Sequence, residues 1–203
     1  MKQKFEIVES TCVPLPYDNI DTDQIIPARY LKATTRDEKF FGEHLFQDRR
    51  FHADGSPVED FPLNNPLYRD AKILVAGENF GSGSSREHAA WALAGYGFRA
   101  VVAASFADIH RNNELNSFIL PVQVGRDFLR QVFEDLSQNP AAQLRIDLPS
   151  QTCTSLLSGA VEHFDINPYK KYCLLNALDD IDYLLEHKDK IERYETENSR
   201  TAR

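Results

Sequence analysis

Cysteine is scarce in this 203-residue chain, and the three cysteines lie far apart, at Cys12, Cys153 and Cys173. An odd number of dispersed cysteines excludes the disulfide framework of a small secreted protein, and no CxxC pair is present to bind a metal. The six histidines form neither an HExxH motif nor a close pair. We therefore expect reduced, buried cysteines and no metal ion bound by this chain.

Positive charge is also in short supply, because 31 acidic residues outnumber 23 lysines and arginines and leave a net charge of −8. No basic run offsets this balance, which argues against nucleic-acid binding by bulk electrostatics. Long apolar runs are absent as well. The first residues lack the apolar core of a signal peptide, and no stretch approaches the length of a membrane span. The expected location is the cytoplasm, without membrane attachment.

The remaining composition is that of an ordinary globular protein, with 42% hydrophobic and 27% charged residues. The length suits one sizeable core, and neither an internal repeat nor a linker interrupts the chain. We predict a single domain over residues 1–194. Residues 195–203 are a polar tail that cannot bury enough apolar surface to become ordered, and we predict that this tail is disordered.

The segment 71–104 organises the rest of the chain. Residues 73–76 and 99–104 are apolar runs with the length and composition of buried strands. Between them a helical pattern begins near Ser84 and ends around Gly95 and Gly97, two glycines typical of helix C-termini. The loop before this helix contains three glycines, which adopt backbone angles that side chains forbid: Gly77, Gly81 and Gly83. This β-loop-α-β unit predicts an α/β fold.

Two serines and an arginine follow these glycines, in the order Ser84, Ser85, Arg86, Glu87. The spacing fits a capping box with Ser84 as the N-cap and Glu87 at the third helical position. Helix capping alone is one interpretation. The other interpretation is a site for a carboxylate or a phosphate. It is favoured by the second serine, by the guanidinium of Arg86 and by the partial positive charge of a helix N-terminus.

Three common catalytic loops are excluded. Residues 81–86 lack the third glycine of the dinucleotide-binding fingerprint, and the chain contains neither a GxxxxGK[ST] nucleotide loop nor a GxSxG nucleophile motif. His88 lies one turn beyond Ser84 on the same helix face, which is poor geometry for an in-line base. We therefore interpret His88 as a packing residue.

Three aspartates cluster before the central unit, at Asp18, Asp21 and Asp23. One interpretation is a solvated turn whose carboxylates bond to nearby backbone N–H groups. The cluster also resembles a divalent-cation loop, although the calcium-binding pattern is not met. From the residues alone, we favour the turn.

Periodicity predicts the remaining elements. The expected strands are residues 4–10, 118–124, 144–148 and 153–157, with Pro121 placing the second at an edge or a bulge. The expected helices are residues 40–51, 105–114 with Ser105 as the cap, 126–138, and a last helical section from residue 166. In this last section six apolar side chains are expected to pack in the core: Tyr172, Leu175, Leu178, Ile181, Leu184 and Leu185.

Several segments give the sequence a family likeness: NIDTDQIIPARYL at 19–31, GENFGSGSSREHAAWAL at 77–93, SFADIHRNN at 105–113 and FILPV at 118–122. In this order they resemble the small subunits of 3-isopropylmalate dehydratase, which correspond to the mobile C-terminal domain of aconitase. The likeness covers about residues 1–190, and GSSREH is highly specific. It implies a swivelling β/β/α three-layer domain with a mixed sheet around the central β-loop-α-β unit.

The resemblance also implies an enzyme of two subunits. Members of this family interconvert 2-isopropylmalate and 3-isopropylmalate by dehydration and rehydration, a hydro-lyase reaction of leucine biosynthesis. Their large subunit holds a [4Fe–4S] cluster whose open iron acts on the substrate hydroxyl. This chain is therefore expected to bind no cofactor itself, and to act on a small dicarboxylate only in a heterodimer with the large subunit.

The motif match implies a role for each residue of the site. Ser84 is matched to the base that removes the proton next to a carboxylate, and Asp23 to an acidic residue of the active site. Ser85 and Arg86, with Gly83 beside them, are matched to the groups that bind the substrate carboxylate.

The family sets its choice of substrate in a loop that contains Tyr30, Lys32 and Thr34 here, and these residues are expected to bind the substrate. Two alternatives remain open: the small subunit of a citraconate or homoaconitate hydratase, and a non-catalytic anion-binding module that regulates a partner. Outside the assigned roles, the chain departs from the common family pattern at Ser82, Ala90, Glu114 and Ser117.

Overall fold

The computed structural model describes residues 2–32 and 37–201, with side chains up to residue 198. The strands in these residues are β1 (Ile7–Leu15), β2 (Ile73–Ala76), β3 (Ala100–Ala103), β4 (Leu120–Gln123), β5 (Gln143–Asp147), β6 (Thr152–Ser155) and β7 (Val161–His163). They form one mixed sheet in the order β4-β3-β2-β1-β5-β6-β7. The half from β4 to β1 is parallel, and the half from β1 to β7 is antiparallel.

Strand β1 belongs to both halves of the sheet because it changes neighbours along its length. Its residues 7–11 pair with β5, and its residues 12–15 pair with β2. Pro14, which has no N–H to donate, lies in the second half, where β5 no longer pairs with the strand. The predicted strand over residues 4–10 was therefore placed too early in the chain and was too short.

The parallel strands are buried on both faces. Ile73 and Val75 point into one apolar cluster, and Leu74 and Ala76 point into a second cluster on the opposite face. Burial of this kind is typical of parallel strands between two layers of helices, and it explains why these strands read as continuous apolar runs. The predicted strands at β2 and β3 are confirmed, as is the position of β4 at an edge of the sheet.

The helices are α1 (Thr22–Ile25), α2 (Glu38–Glu43), α3 (Gln47–Arg50), α4 (Glu87–Tyr96), α5 (Asp108–Asn116), α6 (Arg126–Gln138), α7 (Pro168–Asn176), α8 (Asp180–Glu186) and α9 (Lys188–Thr201). Helices α2 and α4 cover one face of the sheet, and α6 and α7 contribute to the cluster on the other. The predicted helix over residues 126–138 is confirmed as α6. Throughout the described ranges, every helix is too short or too polar to reach across a lipid bilayer.

Two predicted helices have different boundaries in the structure. The helix expected over residues 40–51 is divided into α2 and α3, because Phe46 adopts a left-handed backbone with φ of 52°. The helix expected over residues 105–114 begins later, as α5. Ser105 does not cap this helix. Its hydroxyl accepts a hydrogen bond from the backbone N–H of Asn79 at 2.8 Å, and it therefore supports the central loop instead.

Helices α2 and α4 approach each other closely at Gly42 and Gly95. A Cβ atom on Gly95 would lie 1.7 Å from the carbonyl oxygen of Glu38, so a side chain does not fit there. The backbones of the two helices are therefore in direct contact. This contact holds α2 against the helix that follows the glycine- and serine-rich loop.

The helices near the C-terminus differ most from the sequence prediction. Four apolar side chains expected in the core are exposed: Tyr172, Ile181, Leu184 and Leu185. The prediction of core packing is wrong for these four, because Ala177 takes a left-handed backbone and ends α7. The apolar stripe is thereby divided between α7 and α8. From α7 itself, Cys173 and Leu174 are the buried side chains.

Helix α9 includes residues 195–201, within the segment 195–203 for which the sequence predicts disorder. Its described side chains are exposed, and Lys188 forms an ion pair with Glu192 one turn later at 3.5 Å. No burial supports these described side chains, and the disorder of residues 195–203 stays a prediction. Residues 202 and 203 lie outside the described residues, and the domain boundary at residue 194 stays a prediction.

Candidate active site

The loop between β2 and α4 lies beside the turn that follows β1. We call residues 81–86 the serine loop and residues 18–23 the acidic turn. The backbone N–H of Gly81 donates to the carbonyl oxygen of Ile20 at 2.8 Å and joins the two segments. Both follow the carboxyl ends of neighbouring parallel strands, which is where open α/β sheets form their ligand sites.

Thr22 holds the serine loop from the side of the acidic turn. Its side chain is buried, its backbone N–H donates to the carbonyl of Ser82 at 2.9 Å, and its Oγ1 accepts from the N–H of Ser84 at 3.2 Å. Sequence reasoning assigned no role to Thr22. The available signal was its position between two aspartates of the acidic turn.

The serines do not cap helix α4. The helix begins at Glu87, Arg86 occupies the N-cap position, and no described side chain bonds to the helix end there. The predicted capping box is therefore wrong. Gly83 turns the chain with φ of 92°, and a bond from the N–H of Arg86 to the carbonyl of Ser84 holds the serines outside helical geometry. Ser84 and Ser85 are exposed, beside a helix end that has N–H groups to offer a ligand.

Arg86 and Asp23 form an ion pair at the edge of the serine loop, in which Nη1 of the guanidinium donates to Oδ1 of the carboxylate. The side chain of Arg86 is 25% exposed and that of Asp23 is 54% exposed, so the pair adds little to folding stability. Its effect is on orientation. The carboxylate fixes a planar cation next to the serines, and the guanidinium has further N–H groups for a second anion.

The other two aspartates of the acidic turn bond to backbone N–H groups. Asp21 caps α1 by accepting from the N–H of Gln24 at 2.7 Å, and Asp18 accepts from the N–H of Glu78 at 2.7 Å. These bonds confirm the interpretation of the segment as a turn. Within residues 2–32 and 37–201, no group of three or more histidine, cysteine, aspartate or glutamate residues is arranged to hold a metal ion.

Helix α5 supports the serine loop from a second side. The side-chain amide of Asn113 donates to the carbonyl of Ser85 at 3.4 Å. The ring of His110 lies directly against Gly81, where a Cβ atom would be 2.0 Å from the ring carbon Cδ2. Because Gly81 also has φ of 74°, only glycine satisfies both conditions. Sequence reasoning missed both supporting side chains, although their i,i+3 spacing on one helix was visible.

The residues expected to choose the substrate lie after α1, in the 3₁₀ turn Ala28–Lys32. The ring of Tyr30 stacks on His44 with centroids 4.0 Å apart, and Lys32 is exposed. Neither residue hydrogen-bonds to the serine loop in the part of the chain that the structure describes, and Thr34 lies outside that part. The expected site residues that the structure brings together are Asp23, Gly83, Ser84, Ser85 and Arg86.

His88 is a packing residue, as predicted. Its ring centroid lies 5.2 Å from that of Phe41 and 4.6 Å from that of Trp91. Burial against these rings lowers the pKa of His88.

The cysteines lie in the interior and do not face the site. All three are free and buried, and burial raises the pKa of each thiol, that of Cys153 to about 12. Thiolates, which an iron–sulfur cluster requires as ligands, are disfavoured in this setting. The residues of this chain therefore do not fit such a cluster.

Comparison with known proteins first defines the class. The family model for the aconitase C-terminal domain matches residues 2–127, which include the acidic turn, the serine loop and α5. A crystal structure of 3-isopropylmalate dehydratase from Methanocaldococcus jannaschii has a TM-score of 0.68 at 26% sequence identity, and the match covers 93% of this chain and 99% of that chain. The predicted fold, an α/β domain of the aconitase swivelling type with a mixed sheet, is confirmed.

Sequence relatives then define the family. The chain is 53% identical over 193 residues to the 3-isopropylmalate dehydratase small subunit of Azobacteroides pseudotrichonymphae, which covers 95% of this chain and 97% of the relative. It is 55% identical over 193 residues to the small subunit of the same name from Cytophaga hutchinsonii, with 95% and 94% covered. The chain belongs to the family of 3-isopropylmalate dehydratase small subunits.

Proposed function

We propose that this chain is the small subunit of a hydro-lyase that interconverts 2-isopropylmalate and 3-isopropylmalate by dehydration and rehydration, in leucine biosynthesis. One observation carries the proposal: the exposed sequence Ser84-Ser85-Arg86 lies at the uncapped N-terminus of α4 in a chain that matches named small subunits over nearly its whole length. The large subunit is its partner in a cytoplasmic heterodimer.

Ser84 acts as the base in this proposal. It takes the proton from the substrate carbon next to a carboxylate, and the electron pair of that C–H bond forms the C=C bond as the hydroxyl leaves the neighbouring carbon. A serine alkoxide is unfavourable in water, so the site must stabilise it. The N–H groups that begin α4 and the guanidinium of Arg86 supply positive potential, and closure against the large subunit excludes water.

A substrate carboxylate is bound by Arg86 and Ser85. The guanidinium offers two parallel N–H donors, the hydroxyl offers a third donor, and Gly83 lets the carboxylate approach the backbone. Asp23 completes the site as its acidic residue and orients Arg86 through their ion pair. Fixing the carboxylate in this way holds the adjacent C–H bond within reach of Ser84.

Departure of the hydroxyl needs an electrophile, and the residues of this chain do not fit the group that would supply it. We assign that task to a [4Fe–4S] cluster on the large subunit, where an open iron is a Lewis acid. The two subunits thus each contribute part of one site, and the chain is inactive alone. Tyr30, Lys32 and Thr34 contribute to the choice among malates with different side chains.

Complementation of a leucine auxotroph that lacks only the small subunit tests this proposal. Wild type and Ser82→Ala support growth without leucine, and Ser84→Ala does not. Ser82 is a matched control because it lies in the same loop and contacts Thr22 through its backbone carbonyl, which the substitution retains. Growth of Ser84→Ala equal to wild type excludes Ser84 as the base. Failure of wild type to restore growth beside its cognate large subunit excludes the function.

Turnover by the reconstituted complex identifies the substrate. Isopropylmalate is expected to have a kcat/KM at least about tenfold above those of citraconate and homoaconitate, because a pocket shaped for one side chain discriminates by that order. The reverse order assigns the chain to a citraconate or homoaconitate hydratase. Anion binding with no turnover of any of the three favours a regulatory module.

A further inference from the structure

A histidine and a glutamate form a wholly buried pair inside α5, one turn apart. The side chains of His110 and Glu114 are 1% and 0% exposed, and Nε2 of the imidazole lies 3.0 Å from Oε1 of the carboxyl group. Their alignment is not that of a good hydrogen bond, and the four polar atoms find no other hydrogen-bond partner in the described chain. The proposed reaction uses neither residue, and burying these polar atoms without good hydrogen bonds costs folding free energy.

The pair lies directly beneath the serine loop. His110 touches Gly81, at the start of that loop, so closely that a Cβ atom there would be 2.0 Å from the ring. The same ring packs against Phe80 with centroids 5.4 Å apart. Any movement of the imidazole is therefore transmitted to the backbone from which Ser84 projects.

Only one protonation state leaves the pair without net charge. With one proton between them, the two groups are either both neutral or oppositely charged. Loss of that proton leaves an uncompensated carboxylate in the interior, and gain of a second leaves an uncompensated imidazolium. Burial, opposed by His110, raises the pKa of Glu114, so the carboxyl group keeps its proton to a higher pH than an exposed glutamate does.

Few other charges act on Glu114. Arg111 does so from the same helix, and its guanidinium also donates to the carbonyl of Asp165 at 3.1 Å. Of the elements packed against α5, strand β4 carries no titratable side chain, and α7 carries Lys170, whose Nζ donates to Oδ1 of Asn116 at 2.9 Å. Helix α4 carries Glu87, which is exposed, and His88, which packs on aromatic rings.

Arg86 is the charged side chain of the serine loop, and it is paired with Asp23. Outside the pair, Arg111 on the same helix is the charged group that lowers the pKa of Glu114. The charge beneath Gly81 is therefore set by the His110–Glu114 pair and by Arg111 beside it.

We propose that His110 and Glu114 are positioning residues for the serine loop. While the two side chains share one proton, they hold the loop in its reactive geometry. When that proton is lost as the pH rises, they release the loop. The catalytic consequence rests on the proposed function, whereas the structural consequence does not. Glu114→Gln is the informative variant, because glutamine has the same shape and stays neutral at every pH.

The structural consequence is tested on the full-length chain with glycine labelled with ¹³C at Cα. From about pH 6 to about pH 10, the Cα signal of Gly81 is expected to shift with an alkaline step in wild type, and Glu114→Gln is expected to lack this step. Gly159, which is exposed and where an added Cβ atom would meet nothing within 4 Å, is the internal control and stays constant. A flat Gly81 signal in wild type, or the same step in both proteins, overturns the proposal.

The catalytic consequence is tested on the complex reconstituted with the large subunit. At about pH 7, kcat and KM of Glu114→Gln are expected within about threefold of wild type, and the fall of kcat at alkaline pH is expected to move upward by at least about one pH unit. Glu162→Gln on β7 serves as the control and keeps the wild-type profile. Identical pH profiles for Glu114→Gln and wild type contradict a positioning role. An inactive wild-type complex refutes the proposed function, and the Gly81 signal still decides the structural claim.

Discussion

The guanidinium of Arg86 on the serine loop is paired with the carboxylate of Asp23 in the acidic turn, 63 residues earlier in the chain. Both partners are partly exposed to solvent, so the pair orients more than it stabilises. It gives the cation a fixed direction before any ligand arrives. A substrate carboxylate therefore meets a preorganised guanidinium, although one of its N–H groups is already bonded to Asp23.

Substitution Arg86→Lys is predicted to raise KM by about tenfold or more in the reconstituted complex, because an ammonium group keeps the charge but loses the planar pair of donors. The folding stability of the chain is expected to change by less than about 0.5 kcal/mol, since the residue is at the surface. Steady-state kinetics and urea denaturation measure the two effects.

The matched control for this variant is Arg126→Lys. Arg126 is also an exposed arginine paired with an acidic residue, Glu78 at 2.6 Å, but it lies outside the serine loop. Its substitution is expected to leave KM unchanged. Equal effects of the two substitutions on KM would contradict a carboxylate-binding role for Arg86.

Substitution Thr22→Val removes the oxygen that accepts the N–H of Ser84 and keeps the shape of the side chain. We expect kcat to fall by about tenfold, because the serine is no longer held in place, with a loss of about 1 kcal/mol of stability. Thr22→Ser retains the hydroxyl and should stay near wild type. A wild-type kcat for Thr22→Val would show that this bond does not position Ser84.

Substitution Gly95→Ala is predicted to destabilise the fold by at least about 2 kcal/mol, because the new methyl group meets the backbone of α2. Urea denaturation measures the effect. Gly125→Ala is the control, since its Cβ would meet only Glu162 Oε1 at an ordinary 3.5 Å, and we expect a change below about 1 kcal/mol. Unchanged stability of Gly95→Ala would refute the close contact between α2 and α4.

Stability is predicted to depend on pH through Asp135. Burial alone would raise its pKa, but hydrogen bonds from Ser155, Ser158 and Gln131 hold the pKa of Asp135 below its ordinary value. A lowered native pKa contributes stability that is complete above the unfolded value of about 4 and is lost as the pH falls through the native value.

Asp135→Asn is therefore expected to cost about 1–3 kcal/mol at about pH 7, and the difference from wild type should shrink below about pH 3. Denaturation by urea at several pH values measures both quantities. A difference between the two proteins that stays constant from about pH 7 to about pH 3 would contradict the assigned pKa direction.

Local patterns predicted the elements whose environment is uniform. Strands β2 and β3 are buried on both faces, so their apolar runs identify them, and α6 has one apolar face that its spacing reveals. The chemistry of the serine loop was also visible, because Ser84, Ser85 and Arg86 are adjacent in the chain.

Contacts between distant segments were not predictable in this way. Thr22 contacts Ser84, which lies 62 residues later in the chain, and His110 on α5 contacts Gly81 in the serine loop. Local spacing therefore predicts neither contact. The start of α4 was misplaced because the left-handed turn at Gly83 keeps the serines out of the helix. The C-terminal apolar stripe was misread because Ala177 ends α7 in the middle of it.

The most direct test of the account measures proton transfer itself. The wild-type complex and the Ser84→Ala complex are incubated with isopropylmalate in deuterated water, and incorporation of deuterium at the carbon next to the carboxylate is followed together with kcat. Loss of the base predicts that both rates fall by about 10²–10⁴-fold while KM changes by only a few fold. Exchange by Ser84→Ala within about tenfold of wild type would contradict the assignment of Ser84 as the proton acceptor.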